Sequence, residues 1–119
     1  MAQMNIADAL RLHLETVRLP DSAPLIDRIV ARFAEAHYAR DPVELASRDA
    51  AYILSFAVLQ LNTDQHHPRV RTRMTLPDFI RNMQGLNDKR DFNAAYLEGI
   101  FTSIRSRALP LRQPGIDAD

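Results

Sequence analysis

The 119-residue chain has no cysteine and no tryptophan, only three glycines, and a single lysine, Lys89. Without thiols it can hold no disulfide, no thiolate metal centre and no cysteine nucleophile. No glycine-rich phosphate loop and no recognisable Ser-His-Asp order is present. An excess of charge of one sign is lacking too: 15 basic and 15 acidic residues leave a net charge of zero. No overall field therefore draws the chain to nucleic acid, and no nucleic-acid partner is expected. The longest apolar run, "AYILSFAVLQL", is too short to cross a bilayer. The opening "MAQMNIADALRLHLE" lacks a basic segment followed by an apolar core and does not read as a signal peptide. The expected location is cytoplasmic, or peripheral to a membrane.

Hydrophobic residues make up 46% of the chain and charged residues 25%, which is ordinary for one soluble globular domain. Strand-type alternation is absent, and the pattern is all-helical. Ile6, Leu10, Leu14 and Val17 recur at helical spacing before "RLPDSAP" interrupts. Ser22 can cap a second helix, with Pro24 in its first turn and Leu25, Ile26, Ile29, Val30, Phe33 and Ala34 forming its stripe. Asp41-Pro42 marks its stop. A third helix is expected from about Ser47 to Asn62; it is apolar on nearly every side and should be the central one. Thr75 and Asp78 form a capping box for a short fourth helix ending at Gly85. Tyr96, Leu97, Ile100, Phe101 and Ile104 mark a fifth, which Pro110 ends, and residues 109–119 read as a flexible tail.

The most chemically suggestive stretch is "LNTDQHHP", Leu61 to Pro68. An acid beside two histidines could be a metal site, a catalytic cluster or the polar end of a buried helix. Adjacent His66 and His67 point in different directions on a helix, and His13 and His37 lie on other helices. No metal site and no cofactor is assigned, although a small metal-binding protein using His66 and His67 is the third-ranked reading. Arg69, Arg71 and Arg73 alternate just downstream, as a solvated loop or as a contact for an acidic protein surface or lipid phosphate.

"YILSFAVLQLNTDQHHPRVRTRMTLPDFIRNMQGLND" resembles one signature of the Sec-seven domain, the guanine-nucleotide exchange domain for Arf-type small GTPases. "ALRLHLETVRLPDSAPLIDRIVARFAEAHY" resembles another, through its "RLP", "IDR" and "FA..Y" elements. The two occur in the family's order, from about Asn5 to Arg107, and the wording is nearest to cytohesin-like members. The resemblance implies an all-α right-handed helical stack of about five helices. It corresponds to the later part of such a domain and spans residues 4–108, with an Arf-family GTPase as partner. Peripheral membrane association, through other regions, and self-association stay open.

Carried over residue by residue, the resemblance places Tyr52, Phe56, Leu59, Gln60, Asn62, Thr63, Asp64, His66, His67 and Met74 along a groove that receives apolar side chains of the GTPase. It also implies an acidic exchange residue in the loop between the signatures. The family's "RLPGEA" puts a glutamate there whose charge repels the β-phosphate and displaces Mg²⁺. This chain reads "RLPDSA", with Ser22 at the glutamate position and Asp21 at the glycine. Two unit charges ~4 Å apart interact by about 4 kcal/mol at an effective dielectric of about 20. At ~1.4 kcal/mol per tenfold, losing that charge costs roughly two to three decades of rate. Gln60, Gln65 and His67 depart from the family wording as well, each toward polarity. The expectation is a partial exchange domain of weak or no activity. The alternative is an inactive Arf-binding or scaffolding module. If early helices are missing, Leu10, Leu14, Ile29 and Phe33 should be exposed, or concealed by self-association or compact repacking.

Overall fold

The computed structural model describes residues 4–41 and 43–111. It is all-α, with helices α1 (Ile6–Thr16), α2 (Ala23–Arg40), α3 (Arg48–His66), α4 (Leu76–Asn82) and α5 (Ala94–Ser106). Helix α3 is the hub: α1, α2 and α5 all pack on it, and α4 packs on α5. Ala50, Ala51, Leu54, Val58 and Leu61 of α3 are buried to within 1% of full enclosure. They meet Leu97, Ile100, Phe101 and Ile104 of α5 in one core.

Local chemistry sets the helix starts. Asn5 caps α1 by accepting the Asp8 amide, Ser47 caps α3 through the Ala50 amide, and Asn93 caps α5 through the Tyr96 amide. The Thr75/Asp78 capping box forms as expected, and the backbone amide of Thr75 holds the Asp78 carboxyl below its ordinary range. Ser22 occupies the N-cap of α2, but its hydroxyl makes no capping bond to a described residue, which corrects the expectation for that side chain. Helix α4 stops at Asn82, three residues before Gly85, whose φ of +75° serves the turn that follows.

Arg11 ties α1 to the end of α5, donating to the Ser103 carbonyl at 2.9 Å and the Arg107 carbonyl at 2.8 Å. The Ser103 carbonyl already accepts the Arg107 amide at 3.2 Å, so Arg11 adds a second donor there and engages the Arg107 carbonyl just past the helix end. At the other end of α1, the Ile6 amide donates to the Tyr96 hydroxyl at 3.1 Å. Burial pushes that phenol up to about 12.

For Leu10, Leu14, Ile29 and Phe33 the structure shows the expected alternative of concealment by compact packing, and not exposure. Leu10, Leu14 and Phe33 are 2%, 5% and 8% exposed, and Ile29 is half-buried. Compact packing within one chain conceals them, because α1 lies on both α3 and α5. Leu109, expected to open a flexible tail, is instead buried and donates its amide to Asn62 Oδ1 at 2.8 Å. The rest of that expected tail, 112–119, lies outside the described residues.

Candidate functional site

Helix α3 runs to His66, four residues beyond its expected end. The polar string therefore continues the helix instead of stopping it, and its side chains fan around the axis at 100° per residue. They do not converge. Asn62 is buried and turned to Leu109. Thr63 is exposed and bonds back to the Leu59 carbonyl at 3.3 Å. His66 donates Nε2–H to the Ile104 carbonyl on α5 at 2.5 Å, and His67 Nδ1 accepts the Arg69 amide at 3.1 Å. Each imidazole thus has its own partner. Among the described residues no group of three His, Cys, Asp or Glu side chains could hold a metal ion.

The concave feature lies on another face of α3. A groove of about 470 Å³ runs along Tyr52, Ile53, Phe56, Ala57 and Gln60, one continuous helical stripe. Its opposite wall is Phe79 and Asn82 from α4 with Met83 at its C-cap and Leu86 from the next turn, and Met74 closes one end. The floor is apolar and Gln60 and Asn82 supply the polar rim, as in surfaces that receive a few buried anchors from a partner. Tyr52 and Phe56 pack edge to face with ring centroids 5.1 Å apart.

Of the site residues expected from sequence, Tyr52, Phe56, Gln60 and Met74 line this groove. Leu59 instead packs against the core, and Asn62, Thr63, His66 and His67 are engaged as described above. Ile53, Ala57, Phe79, Asn82, Met83 and Leu86 line it without having been expected to. The first two share the helical stripe of Tyr52 and Phe56 and were legible by period; the others are brought in by tertiary packing.

Asp64 has a different task. Its carboxylate accepts the Met74 amide at 2.7 Å and Gln65 Nε2 at 2.8 Å, while Gln65 also donates to the Met74 carbonyl at 2.8 Å. Arg73 donates to the Asp64 carbonyl at 2.5 Å and to the His67 carbonyl at 3.0 Å. Loop 67–75 is thereby laced onto the end of α3, and Met74 is held at the groove mouth. The reading of Arg69, Arg71 and Arg73 as one basic stretch is corrected: Arg69 and Arg71 are exposed, whereas Arg73 is half-buried and fastens the loop.

Asp21 and Ser22 stand in the loop that leads from α1 into α2, exposed and half-buried respectively. A link ties this region to the groove. The Tyr52 hydroxyl donates to Asp27, and that bond, which favours the neutral phenol, raises the Tyr52 pKa. Asp27 follows Ser22 by five residues, about 7.5 Å along the α2 axis. The start of α2 thus borders the Tyr52 end of the groove.

Comparison with known proteins gives this geometry a family. Residues 1–109 match the family model of the Sec7 domain. The chain is 45% identical over 101 residues to the ARF guanine-nucleotide exchange factor GNOM of Arabidopsis thaliana, covering 85% of this chain and 7% of GNOM. It is similar to the solved N-terminal Sec7 domain of RalF, with a TM-score of 0.85 and 36% identity over 90% of this chain and 54% of that one. It is also similar to a Sec7 domain solved with ARF1-GDP and brefeldin A, with a TM-score of 0.81 and 33% identity over 91% of this chain and 55% of that one. The chain therefore spans about half of the solved domains it matches. The relatives are of the GNOM and Sec7 types, which corrects the cytohesin-like assignment. This chain belongs to the Sec7-domain family.

Proposed function

We propose that this chain is an Arf-binding module of the Sec7 type whose nucleotide-exchange activity is weak or lost. The observation that carries the reading is a division within the site. The α3 groove keeps an aromatic and aliphatic floor through Tyr52, Phe56, Met74 and Met83, while position 22 holds an uncharged serine. A related Sec7 domain solved in complex with ARF1-GDP supports the choice of partner.

The groove would take apolar side chains from the switch regions of the GTPase. The first turn of α2 would face the bound nucleotide. Exchange through this family's loop is electrostatic: a carboxylate brought to the phosphates raises the energy of bound GDP and Mg²⁺ without a covalent step. The hydroxyl of Ser22 carries no charge to do this. Asp21 has a shorter side chain, one residue earlier, and Asp27 is engaged by Tyr52. The proposed location is the cytoplasm or the cytoplasmic face of a membrane.

Release of a fluorescent GDP analogue from an Arf protein tests the reading. A rate near the spontaneous one, together with measurable binding of nucleotide-free Arf, is expected. A rate close to that of a competent Sec7 domain would overturn the inactivity. No binding at all would leave only the scaffolding alternative, in which the family fold is kept without the partner.

A further inference from the structure

The α3 groove is graded from end to end. Its successive α3 turns carry Tyr52, Phe56 and Gln60, two aromatic rings and then a carboxamide. Gln60 lies one helical turn before Asp64, whose carboxylate holds the Met74 amide. It therefore belongs to the end of the groove that Met74 closes. Asn82 reaches the same end from α4, where its Nδ2 donates to Met74 Sδ at 3.8 Å. Two exposed carboxamides thus flank Met74, above a floor in which Leu61, Phe79 and Met83 are at most 3% exposed. Both have hydrogen-bonding capacity left over. A carboxamide carries two donor hydrogens and an oxygen with two lone pairs. The Gln60 side chain makes no hydrogen bond among the described residues, and Asn82 gives one hydrogen to a thioether, a weak acceptor. Gln60 is also a position at which the chain departs from the family wording toward polarity.

We propose that Gln60 and Asn82 are specificity determinants of the groove. They select an Arf-type GTPase whose switch surface sets a hydrogen-bonding side chain at the Met74 end, beside the apolar anchors that fill the Tyr52–Phe56 end. The inference rests on the groove being an Arf-binding surface and adds which members of that class it takes. In the free chain, water satisfies both carboxamides. A partner that covers them with an apolar side chain removes that water and leaves amide groups unpaired, which costs affinity. A partner with a polar side chain there replaces the lost hydrogen bonds. Discrimination of this kind is sharper than an apolar site achieves, because a site equipped to hydrogen-bond penalises the partner that lacks the group. An apolar residue at position 60 would remove the penalty and with it the preference.

Calorimetric titration of the full 119-residue chain with nucleotide-free ARF1 tests the assignment, using also ARF1 variants in which each apolar switch residue is changed in turn to Asn. Gln60→Met exchanges side chains of similar length and helix propensity on an exposed position, so thermal melts should coincide with those of the native chain. Gln60→Met is expected to bind unmodified ARF1 about tenfold more tightly than the native chain does. The native chain is expected to bind one of the Asn variants about tenfold more tightly than unmodified ARF1, and Gln60→Met to reverse that order. Asn82→Leu should reduce the same preference; a chain that keeps it after Asn82→Leu removes Asn82 from the assignment. Equal ARF1 binding by the native chain and Gln60→Met overturns the proposal while the Arf-binding reading stands. A gain from Gln60→Met with no Asn variant favoured by the native chain overturns it too, because Gln60 is then a polar obstacle and not a hydrogen-bonding site. No binding of any ARF1 form by either chain overturns both readings together.

Discussion

The Asp64 carboxylate accepts the backbone amide of Met74 at 2.7 Å, joining the end of α3 to the returning part of loop 67–75. Met74 lines the α3 groove, so a bond outside the groove positions part of its wall. Asp64→Ala removes a charged acceptor from two donors. A hydrogen bond to a charged group contributes about 1.5–3 kcal/mol, and the Gln65 and Arg73 contacts retain part of the lacing. The expected result is a loss of about 1–2 kcal/mol in urea denaturation and an Arf affinity weakened about tenfold. Gln60→Ala, on the exposed rim, should alter affinity without altering stability. An Asp64→Ala protein with wild-type stability and affinity would show that the loop holds itself in place.

Placing a carboxylate at position 22 is the direct probe of the proposed loss of exchange charge. Ser22 makes no capping bond, so Ser22→Glu sacrifices no hydrogen bond at the start of α2. A carboxylate is also favourable at a helix N-terminus. The coulombic argument sets the gain at roughly two to three decades in GDP release. Ser22→Gln, matched in size but uncharged, should give almost none of it. Equal gains from both variants would assign the effect to side-chain length, not to charge.

The number of helices and most of their starts were legible in the sequence, because capping residues and apolar periods are local signals. The end of α3 was not. "NTDQ" reads as a polar stop, yet helix continues because Asn62 and His66 find partners at Leu109 and Ile104, 47 and 38 residues away. The groove was half legible for the same reason. Its α3 wall follows from helical period, whereas Asn82 and Leu86 join it only through the packing of α4. For Leu10 and Leu14 the sequence left exposure and compact packing both open, because a stripe on α1 does not disclose that α3 and α5 cover it.

Neighbouring residues on α3 should separate folding from binding. Leu54 is fully buried and Ile53 is 37% exposed in the groove. Leu54→Ala leaves a cavity at the hub of the helix packing and should cost about 2–5 kcal/mol, a large share of the stability of a domain this size. Ile53→Ala should change stability by less than about 0.5 kcal/mol. Its cost should appear in Arf binding, about 1 kcal/mol or more, as for a buried apolar anchor. Calorimetry of Arf binding together with thermal melts distinguishes the two. An Ile53→Ala protein that binds Arf normally would move the contact surface off this face.

His37 gives the fold a pH dependence with a definite sign. Burial lowers its pKa from 6.5, Asp41 opposes that shift, and the Arg40 guanidinium adds to it. The folded chain therefore holds the imidazole neutral in a range where the unfolded chain has begun to protonate it. There the unfolded state binds more protons, so stability rises with pH. The contribution is fully present above about 6.5 and is lost as pH falls from there through the lowered folded value. Carboxylates titrate below this range and steepen the lower part of the curve, so the comparison must be with a variant. His37→Phe preserves the stack on Phe33 and removes the titration. Urea midpoints between pH 7.5 and 5.5 should fall for the native chain and stay nearly level for His37→Phe. Parallel curves for the two would mean that His37 is as solvated in the folded chain as in the unfolded one.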